Sequence, residues 1–392
     1  MAARVLIGAA ALACLCWGMY CSVRLAVADA LFLENTPESV ARASALDPAN
    51  AQFKAWQAEM EEHDGRNPAP LLLAAAKLNP RDSNVLIRLG LRAEIEGQYA
   101  KAERWLQKAA AVDRLLLPRT TLANYCFRRG EWNSFWPWME RAFAMSYGDA
   151  APLFRLCLAA PGGAARVPEA IAGNVTLLEQ YLDFLLGQGR LEDAGPVAVD
   201  VARRAASREA VLRYCDSALE KGAAAFPVAA WNVLAGRGLV PYAPLAPEKG
   251  GVLTNGELTT APLAGGFDWH IAQTPEASVA HLAPSGLRVA LTGKQPEYTE
   301  LLWQYVPVLP HHTYRLRATT RAEGMDEGGI EWRVAGVAAT APCRDDWAGA
   351  EMTFSSAGAS IVRLTLVAGR KPGSARAEGT VFVRSASLEV LP

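Results

Sequence analysis

The sequence predicts a multidomain chain: an all-α solenoid of helical hairpins, followed by an all-β antiparallel sandwich of jelly-roll type. Three observations carry this reading. Small and large apolar residues recur with a period of about 34 residues through the first 230 or so positions, the signature of stacked supersecondary units. A Pro/Gly-rich stretch, GRGLVPYAPLAPEKGG at 236–251, interrupts that pattern. Beyond it, short segments of alternating apolar and polar residues take over, separated by Gly, Ser, Pro and Asp turns.

Ahead of the repeats, residues 5–21 form an uninterrupted apolar run between Arg4 and Arg24. With Leu25 to Ala28 it approaches the length that crosses a bilayer. Two readings compete. Ala26-Val27-Ala28 fits a cleavage site, and 1–28 then reads as a removed signal peptide. The run is long for a signal core, however, and apolar helical patterning continues through Ala30, Leu31 and Leu33, which favours a signal-anchor. The positive-inside tendency then keeps the short N-terminal tail cytoplasmic and the bulk of the chain periplasmic or otherwise extracytoplasmic.

The repeat is clearest at 83–112, SNVLIRLGLRAEIEGQYAKAERWLQKAAAV, which reads as two helices around a turn at Gly97. Leu86, Leu89, Gly90, Ala102, Leu106 and Ala109 alternate large and small where two helices cross. One period on, Leu122, Gly130, Trp132, Met139 and Ala142 repeat Leu89, Gly97, Tyr99, Leu106 and Ala109. ALDPANA from Ala45, AKLNP ending at Pro80 and GQGRLEDA from Gly187 are further echoes. These positions resemble the tetratricopeptide repeat; the competing reading is an ordinary helical bundle with coincident spacing. The resemblance implies a solenoid over 29–235 of four or five degenerate units, irregular near Pro161, Gly162 and Gly163. It also implies a partner groove lined by the first helix of each hairpin, with Asn84, Ile87, Leu91, Glu94, Asn124, Phe127 and Arg128 facing it. Leu91 and Phe127 are the two most suited to packing between hairpins instead. SFWPW at 134–138 departs from the family pattern, and a kink or a docking surface is expected there.

Seven segments read as strands, beginning at Leu287, Thr299, Thr313, Gly329, Ala350, Ser360 and Thr380; with 252–258 and 267–273 they make eight or nine. LTNGELTTAPLAGGFDW, LLWQYVPVLPHHTYRLRATTRAEG and VFVRSASLEVL over 252–392 are similar to the jelly-roll carbohydrate-binding modules. That resemblance implies glycan recognition by aromatic faces with polar neighbours. The candidates are Trp303, Tyr305, Trp332 and Trp347, with Gln304 and Arg333 beside them. Alternation puts Trp303 and Tyr305 on one face and Leu302, Gln304 and Val306 on the other, so only one set is core. Trp269 is expected to pack the sandwich end. Arg384 stands where many members carry an aspartate of a structural calcium site, and no metal is expected.

Composition sets the remaining bounds. The 392 residues carry a formal net charge of −1, and no basic stripe interleaves with aromatics, which argues against nucleic acid as a partner. Arginine greatly outnumbers lysine and alanine is abundant, as in a bacterial genome rich in GC. The five histidines lie in no metal-ligand spacing, the seven cysteines form no CxxC pair, and no nucleophile or phosphate-loop motif occurs. No cofactor is expected. The acidic clusters at Glu59, Glu61 and Glu62 and at Asp345 and Asp346 read as solvated faces, with a glycoside hydrolase kept only as a remote alternative. The sequence therefore predicts a non-enzymatic scaffold of a bacterial inner membrane, single-pass, binding a protein partner through the groove and a polysaccharide through the sandwich, in envelope polysaccharide assembly or export. The alternative is a purely structural protein-interaction module whose sandwich caps the solenoid.

Overall fold

The computed structural model describes residues 2–171, 173–249, 253–282, 284–325, 329–341, 344–370 and 376–391. Cys343, Gly250, Gly251 and Val252 lie outside them. The chain forms two compact units, Met1–Gly163 and Ala164–Pro392.

In the first unit, helices α1 (Ala2–Leu33), α2 (Pro37–Leu46), α3 (Ala51–His63), α4 (Ala69–Leu78), α5 (Ser83–Ile95), α6 (Tyr99–Val112), α7 (Leu116–Arg129) and α8 (Trp132–Phe143) pair as successive antiparallel hairpins, and α9 (Ala151–Leu158) follows. α1 is one unbroken helix of 32 residues, about 48 Å long at the ordinary rise. Its segment Leu6–Leu33 is long and apolar enough to cross a membrane. The end of the same helix is built into the first hairpin: Ala28 and Leu31 are buried with Ala43 of α2 and Phe53 of α3, and Phe32 packs against Phe53 at 4.7 Å. Asn35 then takes a left-handed conformation that stops the helix, and Thr36 caps α2 through a reciprocal pair of bonds with Ser39.

The expected small-residue crossing is present between α5 and α6. A Cβ on Gly90 would stand 2.6 Å from Leu106 Cδ2, so only glycine lets the helices approach this closely. Gly97 and Gly130 sit one period apart in the left-handed region, at φ 74° and 68°, and end α5 and α7. SFWPW behaves differently from expectation. α8 runs through Pro137 as one helix, and Phe135 and Trp136 are buried inside their own hairpin, in an edge-to-face cluster with Phe127 and Trp132.

The second unit begins with α10 (Gly163–Ala170), α11 (Val175–Gly187), α12 (Leu191–Arg204), α13 (Glu209–Leu219) and α14 (Ala225–Gly236), and closes with the sandwich. Its strands are β1 (His270–Ile271), β2 (Ala277–His281), β3 (Leu287–Thr292), β4 (Tyr298–Pro307), β5 (Thr313–Glu323), β6 (Ile330–Val334), β7 (Val337–Thr340), β8 (Ala348–Ser355), β9 (Ile361–Gly369) and β10 (Glu378–Leu391). They form two antiparallel sheets, β1-β4-β9-β6-β7 and β2-β3-β10-β5-β8. From β3 onward the order is first-eighth-third-sixth against second-seventh-fourth-fifth, the strand order of a jelly roll. β1 and β2 extend one edge of each sheet.

Two expectations at the start of the sandwich need correction. Residues 253–258 form a turn, with Asn255 and Leu258 at positive φ, and 267–273 contribute only the two residues of β1. β2 and β7 are additional strands. β7 reads VAAT, with no buried side chain, so it lacks the apolar alternation that marks a strand in sequence. The described part of the Pro/Gly-rich stretch, 236–249, is an ordered strap. Val240 and Leu245 are buried, Asn232 of α14 brackets Leu245 with two backbone bonds, and Arg208 donates to the Leu239 carbonyl.

Candidate functional site

The groove candidates are set by the first helices of the hairpins. Arg128 of α7 donates to both carboxylate oxygens of Glu94 of α5, at 2.8 and 2.7 Å, so these two residues meet as a planar fork-to-fork pair across adjacent repeats. One step earlier, Arg88 of α5 reaches Glu62 of α3 at 2.9 Å, with Glu59 at 3.6 Å. In the second unit Arg213 of α13 grips Asp183 of α11 at 2.8 Å. An acid-base rung thus joins neighbouring first helices at three steps. The sequence marks Glu94 and Arg128 as groove residues; Glu59 and Glu62 stay largely solvated while they pair with Arg88, and no local pattern announces that pairing.

Asn84 is exposed at the start of α5, Leu91 is half-buried, and Asn124 donates back to the Thr120 carbonyl at 2.9 Å. Ile87 is buried, and Phe127 is committed to the aromatic cluster of its own hairpin. Asn84, Glu94, Asn124 and Arg128 are the polar members of this set, and Leu91 is its half-buried apolar one.

On the first sheet the parity of β4 decides the glycan candidates. Leu302 and Val306 point into the core with Gln304, whose Nε2 donates to the Thr254 carbonyl at 2.8 Å and straps the turn at 253–258 to the sheet. Trp332 is also core: it is 0% exposed and meets Trp269 edge-on at 6.0 Å. Trp332 and Gln304 thus present no surface to a ligand. The physical reason is register, since Trp332 pairs with Leu366 and Gln304 with Leu364, and cross-strand partners share a face.

Trp303 and Tyr305 share the outer face, with His270 of β1 between them. The His270 ring stacks on Trp303 at 5.3 Å and stands edge-on to Tyr305 at 5.8 Å. Arg363 lies 4.7 Å over the Trp303 ring while forking onto Glu300 at 2.9 and 2.6 Å. Tyr305 is buried, and that burial raises its phenol pKa. His270 Nε2 lies 3.1 Å from Asp216 of α13, so the helices wall this end of the sheet. The faces of Trp303 are occupied by the protein's own groups.

The remaining candidates are accessible. Arg333 is exposed, bonded to Glu331 at 2.8 Å and lying 5.1 Å over Tyr298. Trp347 is 43% exposed just ahead of β8, with Arg321 and Arg384 at 5.6 and 5.5 Å from its ring. Arg321 also covers Phe382 at 4.4 Å, and Phe382 pairs across the sheet with Arg288 on its other side. This row of Arg288, Phe382, Arg321 and Trp347, with Arg384 beside it, was not assembled from sequence. Alternation in TVFVR, with Val381 and Val383 inward, is the signal that turns Phe382 outward.

No family model matches the chain, and no curated protein matches it. Among solved structures, the chain is similar to PilW, a type IV pilus biogenesis factor, at 14% identity, with 51% of this chain, 93% of that one and a TM-score of 0.31. A structure described as CBM4 matches at 12% identity over 36% of this chain and 99% of that one, TM-score 0.29. TmCBM61 in complex with β-1,4-galactotriose matches at 19% identity over 35% and 92%, TM-score 0.24. Among the described residues no three His, Cys, Asp or Glu side chains gather into a metal-ligand set. Cys126 and Cys157 are buried thiols, pushed by that burial up to about 11 and about 12.

Proposed function

We propose that this chain is a membrane-tethered, non-enzymatic scaffold of a bacterial envelope, anchored in the inner membrane with both compact units on the extracytoplasmic side. The observation that carries this reading is the continuity of α1, whose apolar span runs without a break into a hairpin that buries Ala28 and Leu31 and packs the partly buried Phe32. Proteolysis after Ala28 would require opening that helix and would strip part of the first hairpin's core. An uncleaved signal-anchor fits this packing better than a removed leader. The polar groove at Asn84, Leu91, Asn124 and the Glu94–Arg128 rung takes the protein partner. The sandwich offers a glycan Trp347, the most exposed aromatic of the candidate set, with the cations of Arg321 and Arg384 close to its ring. Envelope polysaccharide assembly or export is the setting that uses both.

A second reading is favoured by one observation. Tyr305 and Trp332 are buried and Trp303 is covered on the sheet that packs against α13, as befits a sandwich that caps the helices and binds no sugar. Two measurements on the full chain separate these readings. N-terminal sequencing of the mature protein in carbonate-washed membranes should return residues 1–5; a soluble chain beginning at Asp29 overturns the tether. Retention on immobilised polysaccharides should be saturable and lost in Trp347→Ala; binding to none leaves the capping reading.

A further inference from the structure

In an array of antiparallel hairpins, every first helix begins at the edge where the preceding second helix ends. The apolar span of α1 is the N-terminal part of a first helix, so it leaves the first unit by that edge. Its level can be placed. Ala43 of α2 packs beside Ala28 and Leu31, and Leu46 lies three residues further, about 4.5 Å, back along α1. The turn after α2 is therefore level with the stretch just beyond Arg24, the charge that closes the apolar run.

Turns of a soluble repeat array are polar as a rule. The next three turns on this same edge instead expose large apolar side chains in or beside them: Leu78 at the end of α4, Leu115 and Leu117 around the start of α7, and Met145 and Tyr147 after α8, with Leu115 67% and Tyr147 87% exposed. Exposed arginines accompany them, Arg81 beside Leu78 and Arg114 beside Leu115. The nearby acids are engaged in capping: Asp82 accepts from the Val85 amide at 3.1 Å, and Asp113 accepts from Ser83 Oγ at 2.7 Å and from the Leu115 amide at 2.8 Å. The opposite edge carries fewer such residues. Ile95 and Leu33 are exposed there, and Tyr99 lies under the Arg129 guanidinium at 3.9 Å.

We propose that this edge of the first unit rests on the surface of the bilayer that α1 spans. Leu78, Leu115 and Tyr147 sit at the boundary between headgroups and acyl chains, and Arg81 and Arg114 sit on lipid phosphates. The chemistry is that of an interfacial belt: leucines supply apolar area, a tyrosine keeps its hydroxyl among headgroups, and arginines meet the anionic surface. The occupant is fixed by the anchor, which brings the lipid surface to this edge and to no other. The inference rests on the tether reading, and its test keeps the two apart.

The full chain is reconstituted in vesicles of phosphatidylethanolamine and phosphatidylglycerol with a photoreactive benzoylphenylalanine at one position at a time: 12, 95, 115 or 147. After irradiation, lipid adducts are counted by mass spectrometry. Adducts at 12, 115 and 147 and none at 95 are expected. Adducts at 12 alone, or at 95 as often as at 115, overturn the bilayer-facing edge while leaving the anchor standing. No adduct at 12 overturns the anchor and the inference with it.

Discussion

Asp216, in the middle of α13, holds His270 of β1 at 3.1 Å and the Gly266 amide at 2.6 Å with the same carboxylate oxygen. Around this point Trp231 of α14 meets Phe267 edge-on at 5.7 Å, stacks with Tyr242 at 6.1 Å, and leaves no room for a Cβ on Gly266. The motif GGFDW thus divides its work. Phe267 plugs into the helices, and Trp269 plugs into the sandwich core. Asp216→Ala strands a buried amide and an imidazole and is expected to cost about 2–3 kcal/mol, read as a lower urea midpoint. An unchanged midpoint would mean that the joint is held by its aromatics alone.

Trp332 and Trp347 make a matched pair for the sandwich. Trp332→Ala empties a core site and should cost about 3–5 kcal/mol. Trp347→Ala, at an exposed position, should move stability by less than about 0.5 kcal/mol. Thermal unfolding of the two variants beside the parent checks both, and equal losses would show that Trp347 is packed.

Gly90→Ala forces a methyl onto Leu106 and is expected to destabilise the first unit by about 1–3 kcal/mol. Combining it with Leu106→Ala should give a sum smaller than the two single losses, because the clash disappears with the leucine. Additive losses in denaturant titrations would refute the proposed contact.

The Glu94–Arg128 rung is open to solvent on its arginine side. Arg128→Ala should shift stability by no more than about 1 kcal/mol, so any larger loss of partner capture by that variant reports on the groove itself. A larger shift in the unfolding midpoint would show a structural rung.

Asp268 sets a pH dependence. Burial raises its carboxyl pKa despite bonds from the Tyr242 hydroxyl and the Leu263 and Trp269 amides, which pull the other way. A raised folded-state value means that the folded chain binds the proton more readily than the unfolded one. Stability from this group falls as pH rises from the unfolded carboxylate value through the folded one, and is flat above it. The stability difference between the parent and Asp268→Asn should therefore shift in the parent's favour as pH drops from 7 towards 4. A shift the other way would mean that the hydrogen bonds outweigh desolvation.

What was legible in sequence was whatever repeats locally. Gly97, Gly130 and Gly90 announced turns and a crossing because each is dictated by backbone geometry within one hairpin. The seven main strands were legible because each carries its own alternation. What stayed hidden depends on pairing between distant segments. Alternation tied Trp303 to Tyr305 and Gln304 to Val306, but it did not choose which set faces inward; β9 does, by placing Leu364 and Leu366 opposite Gln304 and Leu302. The aromatic row at Phe382 and Trp347 likewise joins residues from four separate segments. The rung at Arg88 and Glu62 spans 26 positions, and nothing local marks it.

The unbroken course of α1 has a mechanical consequence. A glycine-rich tether of the same length would let its cargo sweep a wide volume above the bilayer, and tilt of the anchor would be lost in the slack. A helix with no proline and no interruption between Ala2 and Leu33 behaves as a stiff post. On the tether proposed above, any lean that a bilayer imposes on the lower half of this helix is passed directly to the first hairpin, so membrane thickness becomes a setting for the angle at which that hairpin is presented.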